Sequence, residues 1–539
     1  MRNIHLLLRS LMCILLFFYI ASPAISEDAS PDIPLYHPVY PLLDRLNARD
    51  WVAVPDTRPL TRIQVVRMLS AVSSQSMSAT ERGLINRYIA ELENRAAFAR
   101  EPRWTWHDSA ASVILEPLAR QQVIARRGDG FLNETASQTY IGGSMRGRFH
   151  TLGFYARHFE AREWSDQPRL RREDVLAHPL EDVQLKGKKV DFRESAFQLA
   201  WANTWMRVDV GKGSLSWGPG RTGNLLLSNN APSYGLFRLR TSHGRLRYTH
   251  IASSLRARPG LIDTTRRWID NGHVRIFLRQ KRLAAHRLEI AFSKVRIGLH
   301  EAVVYGDRGF ELLYVLPVAV FAGTQNHLGN RDNLVIGADI SAHILTGLTL
   351  YGACFFDDMV KFDPNAFSNQ FAFQLGAFWV DPLGLRDTDV RAEYVRVEPY
   401  VYAHNFHINT YEHYDALLGY PTGPNADRYF ARVTHRFSPS LNASLTFERE
   451  RQGENPVNPD GTIVNVGGNA QLGRRLEDPT TRNFMSGNIE TLKKIGGHVL
   501  FAPVRNWTLQ MQYQHHRITT QQSRVTGHEW TATMAVNFY

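Results

Sequence analysis

The sequence predicts a mainly β protein, an antiparallel transmembrane β-barrel of about 18 strands behind a small N-terminal α-helical bundle. Three observations predict it. A secretory address opens the chain, hydrophobic alternation with a period of two runs on from about Thr139, and the chain ends inside an alternating strand at Tyr539. Composition excludes a polytopic helical membrane protein. The 539 residues are 43% hydrophobic and 21% charged, with a mean hydropathy of −0.30, whereas each helical span needs about 20 consecutive apolar residues. Only Leu11–Ala24 approaches that, and the next run, Leu312–Gly323, is shorter and contains Pro317. With 11% aromatic residues there is ample material for a core, which excludes disorder.

Residues 1–26 read as a signal peptide. Arg2 and Arg9 precede the apolar stretch Leu11–Ile20, and the small residues Ala24 and Ser26 follow as cleavage positions. A signal anchor is the alternative, but the stretch is short for a span. Cys13 leaves with the peptide, so Cys354 stays as the single cysteine and no disulfide can form within the chain.

Residues 27–135 are assigned to a periplasmic helical bundle and linker. Ser78-Ala79-Thr80-Glu81 and Thr61-Arg62-Ile63-Gln64 are capping boxes, in which the hydroxyl and the carboxyl or amide satisfy backbone amides that a helix start leaves unpaired. Leu84, Ile85, Tyr88, Ile89 and Leu92 share one face after the first box, and a shorter helix is expected at Pro41–Ala48. These stripes are packing surface.

Residues 136–539 are assigned to the barrel. Trp507, Leu509, Met511 and Tyr513 alternate with polar residues, as do Leu441, Ala443, Leu445 and Phe447. A soluble sandwich would turn this apolar set to its core. An outer-membrane barrel would turn it to lipid and line its interior with the polar set. The signal peptide, the long polar loops opposite tight turns, and the last strand, with Trp530, Ala532, Met534, Val536 and Phe538, favour the barrel. Strand starts run from 139 to 528 and include one at 272 and one at 309, an even total. With the C-terminus in the periplasm, segments 398–427 and 452–490 face outward and 161–190 falls on the periplasmic side.

The most distinctive stretch is Trp217-Gly218-Pro219-Gly220-Arg221, followed by Asn224 to Pro232 with Ser228-Asn229-Asn230-Ala231 at its centre. It resembles the W-G-P-G and S-N-N-A signature of the Wzi-type capsule assembly family. Thr57-Arg58-Pro59, Gly337-Ala338-Asp339 and Asp357-Asp358 match the same family in order along the chain. The resemblance implies an eighteen-stranded outer-membrane barrel with a helical bundle at its periplasmic mouth, holding or organising capsule or exopolysaccharide without enzymatic activity. Within the segment, Trp217, Arg221, Asn229 and Asn230 are candidate polysaccharide contacts; a folded-in structural loop is an equal reading, because Gly-Pro-Gly forces tight turns and asparagines cap backbone amides.

The inward phase is rich in arginine: Arg207, Arg245, Arg247, Arg275, Arg296, Arg391 and Arg432, with Asp209, Glu393 and Glu448 as counter-charges. Such an interior attracts an acidic glycan through its field and through charge-assisted bonds. The competing arrangement pairs the charges across the lumen and plugs it. A porin-like channel for anionic solutes is the second function class. Tyr400, Tyr402, Phe406, Tyr411, Tyr414 and Tyr420 crowd one outward loop, where tyrosines can stack on sugar rings or form an interfacial girdle. Tyr402, Tyr411 and Tyr414 are the glycan candidates among them. His404, His407 and His413 match no ligand spacing, so no metal is expected, and no cofactor or catalytic motif is present. Export and scattered basic residues, in a chain of net charge +12, argue against nucleic acid. The expected partners are outer-membrane lipid and an acidic or neutral long-chain polysaccharide, bound by a monomer.

Overall fold

A computed structural model describes residues 28–72, 74–93, 104–108, 111–129, 133–166, 181–270, 273–358, 369–504 and 506–537. The signal peptide and the terminal Tyr539 lie outside the described residues. Long antiparallel strands close into one 18-stranded barrel. In chain order they are β1 Ala111–Asp129, β2 Glu134–Phe149, β3 Leu152–Ser165, β4 Lys189–Ala202, β5 Met206–Gly213 and β6 Tyr234–His243. Next come β7 Leu246–Arg256, β8 Gln280–Ala291, β9 Val295–Gly306, β10 Asn333–Leu345, β11 Leu348–Asp358 and β12 Gln370–Val380. The last six are β13 Thr388–Val397, β14 Ala426–Ser438, β15 Leu441–Glu454, β16 Asn488–Phe501, β17 Trp507–Thr519 and β18 Arg524–Val536. Closure comes from β18 pairing with β1, from Val536 opposite Ala119 to Thr526 opposite Asp129.

The period-2 pattern works as expected. Leu445, Phe447, Trp507, Met511, Trp530 and Met534 are exposed on the outer wall, whereas Thr508, Thr533 and Ala535 point inward and are buried. Every backbone group of a strand inside this closed sheet has a lateral neighbour, which is what a segment in hydrocarbon requires.

Three sequence expectations need correction. The barrel begins at Ala111, inside the stretch 27–135 assigned to bundle and linker, because Pro117 and the outward-phase Gln121 and Arg127 blur the alternation of β1. No barrel strand starts at 309: the connection from β9 to β10 carries two short helices, Leu312–Val315 and Phe321–His327. The strand read at 272 belongs to a hairpin of Ile262–Asp270 with His273–Leu278 that stands apart from the barrel sheet. With β9 at Val295 also unforeseen, two missed and two surplus strands cancel in the count but not in the direction of the early strands. The connection from β3 to β4 therefore lies at the same end as 398–425 and 455–487, and not at the end assigned to 161–190.

The end at which β18 finishes is the near mouth. There sit three helices, named αA Val39–Ala48, αB Arg62–Ala71 and αC Ala79–Leu92, around a core of Val39, Leu42, Leu43, Leu46, Val65, Leu69, Leu84 and Ile85. Both capping boxes form as read: Thr61 with Gln64 starts αB and Ser78 with Glu81 starts αC. The helices dock on the near-mouth turns. Arg45, fully buried, bonds Glu81 of αC, Asp381 of the turn after β12 and Asp389 of β13, each at 2.5 Å. Arg87 donates to the carbonyls of Ala502 and Val504.

Candidate functional site

The Trp217–Pro232 segment links β5 to β6, yet it folds into the lumen. There Thr57 pairs with Trp217 and Arg58 with Ser216 in a two-stranded ribbon, and the Gly218 amide donates to the Asp56 carbonyl at 2.9 Å. Gly218 holds φ of 130°, and a Cβ there would meet Asn224 Oδ1 at 2.5 Å, so glycine is required. Asn224 accepts from the Gly220 amide at 2.9 Å and donates to Ser216 Oγ at 2.8 Å. The loop's cap is thus Asn224, not Asn229 or Asn230.

A second far-mouth connection, 398–425, packs onto the first. The Tyr402 hydroxyl donates to the Leu225 carbonyl at 2.8 Å and accepts from the Tyr420 amide at 3.0 Å. The rings of Tyr402 and Tyr411 stack 5.7 Å apart. Trp217, Leu225, Leu226, Leu227, Tyr402, Tyr411 and Tyr420 join inward strand residues such as Ile251, Val304 and Phe355 in one apolar core within the barrel. Polar barrel lining gives way here to packing, and this part of the lumen is plugged.

Three of the expected inward arginines, Arg207, Arg296 and Arg391, fasten that plug. Arg207, with no exposed surface, meets Asp209 at 2.6 Å and donates to the Ser30 carbonyl. Arg238 and Arg240 on β6 join the same group through Asp32 and Asp209. Arg296 bonds Asp56 at 3.2 Å. Asp44 of αA collects Arg58, Arg221 and Arg391 at 2.5, 2.7 and 3.0 Å. Burial opposes the Asp44 charge, but the Arg221, Arg58 and Arg391 guanidiniums outweigh it and hold the carboxyl well below the usual carboxylate range. Glu393 takes the Arg221 and Thr222 amides at 2.8 and 3.0 Å, and Glu448 takes Arg428 at 2.8 Å. The paired arrangement holds for most of these charges, because an arginine in a filled interior is tolerated only with its counter-charge beside it.

The expected contact residues are therefore dispersed. Trp217, Arg207, Tyr402 and Tyr411 are buried in the plug, and Arg221 is a tie between loop, helix and wall. Asn230 donates to the Leu417 carbonyl at 2.6 Å. Arg245 lies exposed in the near-mouth turn, and Arg247 faces Ser242 just above it, remote from the far-mouth loops. Asn229 is exposed beside a cavity of about 240 Å³. Tyr414 is half-buried with the Arg256 guanidinium 4.6 Å above its ring. His413 is buried and accepts from the Arg256 amide; burial, then the Lys281 ammonium, push its imidazole down to about 3. Arg275 belongs to the hairpin outside the barrel.

The other part of the lumen holds a cavity of about 950 Å³, floored by His37 and Tyr40 and walled by Arg120, Tyr140, Arg391 and Arg432. Arg432 is exposed in it, 5.1 Å from the Phe430 ring, and no carboxylate among the described residues pairs with it. Sequence reasoning placed Arg432 inward but missed Asp32, Arg238 and Arg240, although the phase of β6 carries the last two.

A family model described as "Capsule assembly protein Wzi" matches residues 87–529. The chain belongs to this family. Among solved structures, Wzi of Escherichia coli, an outer membrane protein involved in group 1 capsule assembly and described as a carbohydrate-binding β-barrel, superposes with a TM-score of 0.56 at 13% identity, covering 96% of this chain and 100% of that one. OprD of Pseudomonas aeruginosa follows with a TM-score of 0.42 at 11% identity over 79% of this chain and 95% of that one. OccAB1 of Acinetobacter baumannii scores 0.43 at 9% identity over 79% and 96%. No curated protein matches the chain. A Wzi-family outer-membrane barrel accounts for the apolar outer wall, and the stretch that resembles the family signature, Trp217–Pro232, lies in the plug.

Proposed function

We propose that this Wzi-family protein holds acidic surface polysaccharide at the outer membrane without performing chemistry on it, its helical domain at the periplasmic mouth and its long loops outside. The observation that carries the reading is the division of the lumen: one part is filled by an ion-paired plug, and the other keeps a polar cavity with an unpaired guanidinium, Arg432. A plug suits attachment better than solute flow, and an exposed guanidinium beside aromatic rings suits the carboxylate and the C–H face of an acidic sugar. Tyr414 with Arg256 offers the same pairing near the far mouth.

The test is to delete the gene in a strain that makes such a polymer, complement with wild type, Arg432→Gln or Tyr414→Ala, and compare cell-bound with released polysaccharide. Deletion is expected to move polymer into the medium, and each variant to restore attachment only in part. An unchanged ratio after deletion sinks the proposal.

A further inference from the structure

Register places a polar row on the wrong side of the barrel wall. Leu239 of β6 pairs with His250 of β7, His250 with His286 of β8, His286 with Glu301 of β9, and Glu301 with Ile336 of β10. Paired residues share a face. The next residues along three of these strands, Ile251, Ala285 and Ala302, belong to the core inside the barrel, and Ile336 is exposed outside. Two imidazoles and a carboxylate thus sit mid-strand on the outer wall, where a barrel meets hydrocarbon.

They are nonetheless covered. His250 has no exposed surface, and Glu301 has 9%. The cover is the connection from β9 to β10, which leaves the far rim at Gly306, folds back along the outside of the wall, and returns at Asn333. Its Phe321 amide donates to Glu301 Oε1 at 2.7 Å, and the Phe321 ring lies 4.5 Å from that of His286. The Pro317 carbonyl accepts from the Tyr248 hydroxyl, near the opposite end of β7. Tyr314 and Phe321 pack on Ala284, Val303 and Tyr305, all of the outer phase. Asp332 binds the Tyr314 hydroxyl at 2.9 Å and Arg308 at 2.6 Å, pinning both ends.

Among the described residues, none lies over the opposite face of this cover. Leu312 is 69% and Val318 79% exposed, with Leu316 and Val320 beside them. No charged side chain occurs from Leu312 to Asn326. Short-range bonds such as Val315 to Glu311, Leu316 to Leu312 and Leu328 to Thr324 satisfy the backbone locally, as immersion in hydrocarbon demands.

We infer that residues 310–328 form a strap embedded in the bilayer, whose outer face takes lipid acyl chains while its inner face seals His250, His286 and Glu301 from them. The occupant follows from continuity, since the strap sits among Leu299, Ile336 and Ile340, which face lipid on the bare wall. The apolar run that is too short for a helical span thereby finds a place in the membrane, laid against a barrel.

The inference is tested with nitroxide labels at Leu312→Cys and Val318→Cys in a Cys354→Ser background, in phospholipid vesicles and in isolated outer membranes. Ile340→Cys is the lipid-wall control and Asp460→Cys the loop control, and a heat-modifiable gel shift certifies folding. Collision with oxygen should be high and collision with a water-soluble nickel chelate low, both within about twofold of Ile340→Cys. Nickel access resembling Asp460→Cys would overturn the inference, as would shielding from both quenchers, which would mean that protein covers the strap.

Discussion

Arg45 Nη1 lies 2.5 Å from Asp389 Oδ1, so the first helix of the N-terminal domain is fastened to the barrel wall by a guanidinium with no access to water. Arg45→Ala would leave an empty site between Glu81, Asp381 and Asp389, with Arg49 still holding the first two and Arg436 the third. Removing one partner of a buried pair costs about 3–5 kcal/mol, felt here as weaker docking and not as loss of the barrel. Limited proteolysis should cut between helices and barrel at least tenfold faster in the variant, with the heat-modifiable shift retained.

Gly218→Ala is expected to disturb the plug. Its positive φ costs about 1–3 kcal/mol for a residue with a Cβ, and the added methyl would meet Asn224 Oδ1. Asn224→Ala removes the oxygen and the cap together, so it should also loosen the loop. Hydrogen exchange over 214–232 should rise in both variants; unchanged protection would refute the assigned role of Asn224.

Acidification should release the molecule in order. Burial, then Lys281, depress His413, so its stabilisation of the 398–425 loop is complete above the free-histidine value of about 6.5 and fades as pH falls toward about 3. Burial opposes the Glu81 and Asp44 charges, but Arg45 with Arg49, and Arg221 with Arg58, lower both carboxyls. Depressed carboxyls stabilise fully above about 4 and lose that contribution only as pH falls further. Loop exposure should therefore begin near pH 6 and helix release below pH 4, as read by proteolysis at stepped pH. Simultaneous release, or helix release first, would contradict the assignment.

The plug should keep the barrel silent in planar bilayers, with no porin-like conductance steps from the wild type. Removing residues 28–93 takes away Asp28, Asp32, Asp44 and Asp56 together with Thr57, the partner of Trp217. That truncation should open fluctuating channels if it inserts, and steady wild-type conductance would favour the porin reading over the proposed one.

Much of the architecture was legible because it depends on one-dimensional rules. Alternation assigned the outer faces of β15, β17 and β18, and two four-residue capping boxes marked the starts of αB and αC. Phase also put Arg207, Asp209, Glu393, Arg432 and Glu448 inside. The pattern failed where local composition contradicts position: β1 carries Pro117, and Leu312–Gly323 looks like core but forms part of a cover on the outer wall.

The candidate site was less legible. A half-buried tyrosine in a far-mouth loop and a fully buried one in a plug have the same sequence neighbourhood, so only packing separated Tyr402 and Tyr411 from Tyr414. Periodicity alone determined which side of a strand each residue occupies, since the pleat enforces that through neighbouring dihedrals. Which charges are spent on counter-charges, and which remain for a ligand, was decided by tertiary structure, since Asp44 meets Arg221 and Arg391 only when distant segments converge in one lumen.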